Sequence, residues 1–175
     1  MQNITITQLK QHLKSLSQEN MMAEIQELFQ KFPAVKEFYQ VKLNFNGEDD
    51  SHKKYKEIIK NEFFPVNGFG KLRLSVARGA ISDFKKLSKN QRLIADLMIF
   101  YVEQGVEFTN SYGDICEAFY NSMESMAHSA AEFVVKNKFS DAYKERFKKI
   151  AQSTSGIGWG FHDTLEEIYY DNFGE

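Results

Sequence analysis

The chain has 175 residues, of which 42% are hydrophobic and 14% aromatic, and its 22 basic and 24 acidic residues give a formal net charge of −2. So large an apolar and aromatic content excludes a disordered chain. The balanced charge leaves no overall field that would attract nucleic acid or acidic lipid. A chain of this length can bury roughly 70% of its unfolded surface in one core. We therefore expect a single domain over residues 1–175.

Cysteine content and hydropathy indicate in which cellular compartment the protein resides. Cys116 is the only cysteine, so it has no partner for an intramolecular disulfide. The first ten residues lack the charged and apolar regions of a signal peptide. No apolar run approaches the roughly 18 residues that cross a bilayer. We expect a cytoplasmic protein that does not contact a membrane.

Apolar residues recur at spacings of three and four along almost the whole chain, and there are only two prolines. This pattern predicts about nine helices joined by short links. The expected starts are, in chain order, Thr7, Ser17, Pro33, Ser51, Leu72, Arg92, Ser111, Ser140 and Asp163. The two clearest breaks are the segments 65–70 and 153–160, which are rich in glycine.

The sixth predicted helix is the most apolar stretch of the chain. Residues 93–102 place apolar side chains around most of the helix circumference and leave one narrow polar strip of Arg92, Asp96 and Glu103. A helix of this kind is surrounded by protein, and we expect it to anchor the core and to end at Gly105. Residues 106–110 would then form a short link.

These elements predict an all-α fold with about nine helices in a single globular helical bundle. The alternative is a short α-solenoid of stacked helix hairpins. Because the sixth helix is apolar on nearly every side, it needs neighbours all around it. That requirement favours the bundle.

Four segments together resemble a known family. They are Leu28–Tyr39, Ile94–Met98, Val106–Asn110 with Tyr112–Asp114, and Ser155–Asp163, of which the last is the most specific. In these segments the chain is similar to a bacterial family of all-helical proteins classed as a domain of unknown function. The resemblance spans nearly the whole chain. It implies an all-α bacterial protein and provides no activity, ligand or catalytic residue.

Asp96 is a carboxylate within an apolar helix, an environment that can raise a pKa and prepare a group for acid–base chemistry. The simpler interpretation is a structural ion pair. Arg92 is one partner, since it lies four residues earlier on the same strip. Arg78 from the preceding helix is the other, and a pair with it would be buried.

The glycine-rich turn before the last helix is the candidate ligand site. A turn that leads into a helix N-terminus can direct backbone N–H groups at an anion. Trp159 could stack on a ligand and His162 could transfer protons. If the link at 109–114 lies beside the turn at 156–163, polar partners would come from that link. The candidate residues are Tyr112, Asp114, Trp159, His162 and Asp163, with Thr109 nearby. The alternative is a tight turn in which Trp159 fills the core and Asp163 caps the helix.

The seventh predicted helix carries Glu117, Glu124, His128 and Glu132 at helical spacing. This face lies opposite the apolar face of the same helix, so its carboxylates are most simply explained as solvated. We predict no metal site and no cofactor. No nucleophile elbow or other catalytic signature is present, and no catalytic residue can be assigned.

The sequence favours a non-enzymatic helical module that binds another protein through a helix face or groove. The alternative is a small-molecule or anion-binding protein, possibly an enzyme, whose site lies at residues 109–114 and 156–163. Binding to nucleic acid is the least favoured, because the net charge is balanced.

Overall fold

The computed structural model describes residues 3–174, and in that region the chain forms nine α-helices and no β-strand. The predicted all-α fold is confirmed. The chain divides into two compact units, Met1–Phe45 and Asn46–Glu175, each with its own internal packing. A single domain over residues 1–175 stays a prediction. None of the helices within residues 3–174 is long and apolar enough to cross a membrane.

The first unit contains three helices. They are α1 (Ile6–Ser15), α2 (Gln18–Lys31) and α3 (Pro33–Leu43). Ser17 caps α2 and Pro33 begins α3, as predicted. The cap of α1 is Thr5 and not the predicted Thr7, because Thr5 forms a reciprocal capping box with Gln8. That second hydrogen bond makes Thr5 the better cap.

The second unit contains six helices. They are α4 (Gly47–Phe63), α5 (Leu74–Leu87), α6 (Gln91–Tyr112), α7 (Glu117–Lys136), α8 (Ser140–Gln152) and α9 (Phe161–Phe173). Helix α6 packs against α4, α5, α7 and α8, and α9 packs against α7 and α8. A central helix with neighbours on several sides is the arrangement of a bundle rather than of stacked hairpins.

Helix α6 is the core of this unit, as its apolar pattern predicts. The side chains of Leu97, Ile99, Tyr101 and Val102 are fully buried. Burying each large apolar side chain is worth roughly 1.5–3 kcal/mol. This stretch therefore supplies a large part of the unit's hydrophobic stabilisation.

The predicted end of α6 at Gly105 is wrong. The helix continues for seven further residues to Tyr112 and ends at Gly113, whose φ is +84°. Gly105 is a packing residue: a Cβ built there would lie 2.0 Å from the Sδ atom of Met123 on α7. Glycine at this position lets α6 and α7 approach closely, which a one-dimensional pattern cannot distinguish from a helix stop.

The predicted starts of the seventh and ninth helices are also wrong. Because α6 occupies residues up to Tyr112, Ser111 cannot open α7, which instead begins at Glu117 after Cys116. Helix α9 begins at Phe161, after Gly160 in the left-handed region, so Asp163 lies within its first turn and does not cap it.

Candidate functional site

The predicted link and the glycine-rich turn do lie together in the second unit. The indole Nε1–H of Trp159 donates a hydrogen bond of 2.7 Å to Oδ2 of Asp114. The hydroxyl of Tyr120 donates to Oδ1 of the same carboxylate at 2.6 Å. Asp114 therefore ties the turn before α9 to the segment between α6 and α7.

Trp159 does not fill the core, so the tight-turn alternative is wrong on this point. Its side chain is 60% exposed, and its ring stacks on that of Tyr120 with an interplanar angle of 26°. Its φ is +65°, a conformation that costs a residue with a Cβ roughly 1–2 kcal/mol. Gly156 and Gly160, on either side, also have positive φ. The turn thus holds a large aromatic ring at the surface in a strained backbone.

The charge at this contact is fixed by hydrogen bonding. The Tyr120 hydroxyl and the Trp159 indole together lower the pKa of Asp114, so its carboxylate stays ionised at neutral pH. Burial, together with the adjacent Asp114, raises the pKa of Tyr120. The Tyr120 hydroxyl also lies 2.9 Å from Oγ1 of Thr109. A permanent negative charge beside the indole disfavours an anionic ligand here.

His162 contacts the end of α8 and makes no hydrogen bond with Trp159. Its Nδ1 is 3.0 Å from Thr154 Oγ1 and 3.2 Å from the carbonyl oxygen of Ala151. Thr154 Oγ1 already donates its proton to that carbonyl, which can only accept. Nδ1 is therefore the protonated ring nitrogen, and His162 holds the end of α8 against the start of α9.

The other two candidates lie elsewhere. The ring of Tyr112 packs against the rings of Phe108 at 4.6 Å and Phe69 at 4.8 Å, between centroids. Asp163 is exposed in the first turn of α9, where its charge is favourable to the helix dipole. Of the five predicted residues, the structure joins only Asp114 and Trp159 by a direct hydrogen bond.

The predicted partners of Asp96 are wrong, although Asp96 is in an ion-pair cluster. Its Oδ1 accepts from Arg146 Nη1 at 2.5 Å, and its Oδ2 lies 2.8 Å from His52 Nε2 and 2.9 Å from Lys56 Nζ. The two contacts at Oδ2 have the distances of ion pairs but not the angles of hydrogen bonds. Arg146 also forms a bidentate pair with Glu103, at 2.7 and 2.6 Å.

Arg92 and Arg78 are engaged otherwise. The Arg92 guanidinium lies 4.7 Å from the centre of the Phe139 ring. Arg78 Nη1 donates to the carbonyl oxygen of Ser122 at 3.1 Å. The polar strip of α6 faces α4 and α8. Arg146, Lys56 and His52 from those helices therefore contact the Asp96 carboxylate, in place of a neighbour along its own helix.

The cluster keeps Asp96 ionised. Burial raises the pKa of Asp96, but the close contacts of His52 and Lys56 and the charge of Arg146 outweigh it, and the pKa lies well below its usual range. A carboxylate held this firmly in the ionised state is a poor general acid. The arrangement is that of a structural centre joining α4, α6 and α8.

Two cavities flank α6 near this cluster. One, of about 330 Å³, lies between α6 and α8. Its polar lining includes Glu103, Glu107, Asn110, Arg146, Lys149 and Ser153. The other, of about 480 Å³, lies between α4 and α6. Its lining residues are Lys56, Glu57, Lys60, Phe64, Phe100, Gln104 and Glu107. Asn110 and Ser111, from the predicted 109–114 segment, line the first cavity, but none of the five named candidate residues lines either one.

The sequence does contain a signal for the missed residues. Lys56 and Lys60 on α4 and Phe64 directly after it recur at a spacing of four, as Phe100 and Gln104 do on α6. Such rows share one helix face. Which two rows face each other depends on helix packing, which periodicity does not give. Within residues 3–174, no three side chains of His, Cys, Asp and Glu are grouped closely enough to hold a metal ion.

A family model described as a family of unknown function, DUF6155, matches residues 4–174 of the chain. No curated protein and no solved structure matches it significantly.

Proposed function

The chain belongs to DUF6155, a family of unknown function, and from this premise we propose that it is a non-enzymatic helical module that binds another protein. The observation that carries the proposal is the surface of the first unit. None of residues 3–45 is buried, although α1, α2 and α3 are amphipathic. The exposed large apolar side chains of this unit are Ile4, Ile6, Leu9, Met22, Ile25, Leu28, Phe29, Phe32, Phe38, Leu43 and Phe45.

Helix α2 presents the most regular part of this surface. Met22, Ile25, Leu28, Phe29 and Phe32 are spaced by three and four residues, so they form one stripe along a single helix face. Large exposed apolar patches on proteins mark sites of interaction. An amphipathic helix face of this kind fits an apolar groove or helix of a partner protein. We name these five residues the α2 stripe.

The proposal is tested with baits that differ in one side chain. Ile25→Ser places a polar side chain within the α2 stripe, and Ala23→Ser makes a similar change on the opposite, exposed face of the same helix. The full chain and the Ala23→Ser chain should retain the same protein from a lysate of the source cell, and the Ile25→Ser chain should lose it. Retention of one set of proteins by all three baits would contradict a role for the stripe.

Self-association is distinguished by sedimentation of the purified chain over a range of concentrations. A monomer at every concentration supports a partner of a different sequence. A dimer that Ile25→Ser dissociates would identify the partner as a second copy of this chain.

A second candidate function is a small-ligand site at residues 109–114 and 156–163. The observation that favours it is the exposed Trp159 ring held by Asp114. Because Asp114 is ionised, the ligand would be neutral or cationic rather than an anion. Trp159 is the only tryptophan, so its fluorescence reports this site alone. A saturable change in its emission with a metabolite, absent with simple salts, supports the site, and no change with any metabolite opposes it.

A further inference from the structure

The cavity between α4 and α6 is bounded by helices that run in the same direction and in register. The rings of Phe64 and Phe108 have centroids 5.7 Å apart, and Lys56 Nζ lies 4.7 Å from the centre of the Phe100 ring. Both pairs are separated by 44 residues (108 − 64 and 100 − 56), as are His52 and Asp96. The same offset places Lys60 at the level of Gln104.

Gln104 brings an unsatisfied acceptor to this cavity. The residue is 7% exposed and lines the cavity. Its Nε2 donates to Oε2 of Glu107 at 3.2 Å, which fixes the orientation of the amide, since a carboxylate can only accept. Its Oε1 is buried and has no hydrogen-bond partner. A buried acceptor without a donor is costly, so the site is suited to a molecule that brings an N–H group.

The charges around Gln104 have both signs. Lys56 is held by Asp96, but Lys60 makes no ion pair with any residue in the described part of the chain. Glu107 contacts Gln104 and no cation among residues 3–174. The cavity thus offers the unpaired ammonium group of Lys60 on α4, with the exposed carboxylate of Glu57 three residues before it, and an unpaired carboxylate with an unsatisfied amide oxygen on α6.

Apolar walls complete the cavity. Phe64 and Phe100 line it near its two ends, one turn of helix beyond Lys60 and one turn before Gln104 respectively. A site with a few converging polar groups and aromatic walls is typical of small-molecule binding. Its volume of about 480 Å³ has room for a molecule of the size of an amino acid.

We propose that this cavity binds a free α-amino acid with an apolar side chain. The ammonium group of the ligand donates to Gln104 Oε1 and to Glu107. Its carboxylate pairs with Lys60, and its side chain packs on Phe100, at the end of the cavity away from Glu107. A ligand charged at one end only would leave either Lys60 or the Glu107–Gln104 pair without a partner.

The test is isothermal titration of the full chain with L-phenylalanine and with two analogues that each lack one charge, phenethylamine and 3-phenylpropanoate. L-phenylalanine should bind, and each analogue should bind at least tenfold more weakly, because each loses one charged contact. The absence of binding by L-phenylalanine and by L-leucine would overturn the proposal. Equal binding of the amino acid and either analogue would also overturn it.

Two variants locate the binding. Lys60→Met should weaken the affinity for L-phenylalanine at least tenfold, whereas Lys53→Met, an exposed lysine of the same helix, should leave it unchanged. Gln104→Leu should weaken it as strongly. If Gln104→Leu does not fold, Lys60→Met decides the result. An affinity that Lys60→Met leaves at the wild-type value would place the ligand elsewhere and overturn the proposal.

Discussion

Asp96 on α6 is the carboxylate at the centre of the ion-pair cluster in the second unit. Its side chain is 20% exposed and lies within 3 Å of His52, Lys56 and Arg146. Three helices therefore meet at one carboxylate. Removing one partner of a buried ion pair is far more harmful than removing an exposed pair, because the remaining charges stay desolvated.

Asp96→Asn should lower the free energy of unfolding by about 3 kcal/mol, as measured by urea denaturation. Asp83→Asn is the matched control, because Asp83 pairs with Lys86 at the surface. The control should change the free energy of unfolding by less than about 1 kcal/mol. If the two variants lose the same stability, the Asp96 cluster is not the centre described above.

The same carboxylate predicts a pH dependence. The folded-state pKa of Asp96 is lower than that of an unfolded aspartate, about 3.9, so its stabilisation is complete above that value. As the pH falls below about 4, the unfolded chain takes up the proton first and the free energy of unfolding decreases. Denaturation curves between pH 6 and pH 2 should show this loss, and Asp96→Asn should make it smaller. An identical decrease in both proteins would contradict the assignment.

Asp114 holds the indole of Trp159 by a single hydrogen bond. Asp114→Ala should free the ring and increase the quenching of its fluorescence by acrylamide. Asp114→Asn keeps an oxygen acceptor and should stay close to wild type. Equal quenching in the wild type and Asp114→Ala would mean that the backbone of the turn alone positions the ring.

At the scale of the element, helices are largely predictable from this sequence, and their ends are less so. The periodicity of apolar residues gives nine helices because each must place one face on a neighbour. The starts of α2 at its cap Ser17 and of α3 at Pro33 are predicted correctly, since the start of a helix depends mainly on adjacent residues. The end of α6 was misplaced because Gly105 is required by contact with Met123, a residue 18 positions away.

Gly105→Ala tests that contact. Alanine favours helix by about 1 kcal/mol over glycine, so at a neutral site the variant would be more stable. Here the added Cβ would lie 2.0 Å from the Sδ atom of the fully buried Met123, and we expect a net loss of about 1–3 kcal/mol in the free energy of unfolding. Combined with Met123→Ala, the loss should be less than the sum of the two single losses. Strict additivity, or a stabilised Gly105→Ala chain, would contradict close packing of α6 on α7.

At the scale of the whole molecule, the all-α class follows from composition and periodicity, whereas the sites depend on which helix faces meet. The sequence named Asp114 and Trp159 as candidates on the condition that their two segments lie together, and only the packing of α6, α7 and α9 shows that they do. The sequence does not predict the partners of Asp96, because the spacing along α6 alone makes Arg92 its nearest cation. The α4–α6 cavity is not predicted for the same reason, since in the sequence Lys60 and Gln104 are ordinary polar residues, and only the packing of the two helices brings them together.

The two units differ in how they are stabilised. The second buries a core around α6, and the described part of the first buries no residue. Apolar side chains that are spaced for burial and remain exposed are the physical basis for the proposed binding function. The central claim is therefore that the α2 stripe contacts another protein.

Photo-crosslinking in the source cell tests this claim most directly. A benzophenone amino acid replaces Ile25 on the α2 stripe in one chain and Ala23 on the opposite face in another. We predict a discrete protein adduct from position 25 and none from position 23. Adducts from neither position, or the same adducts from both, would contradict the claim that the stripe is a binding surface.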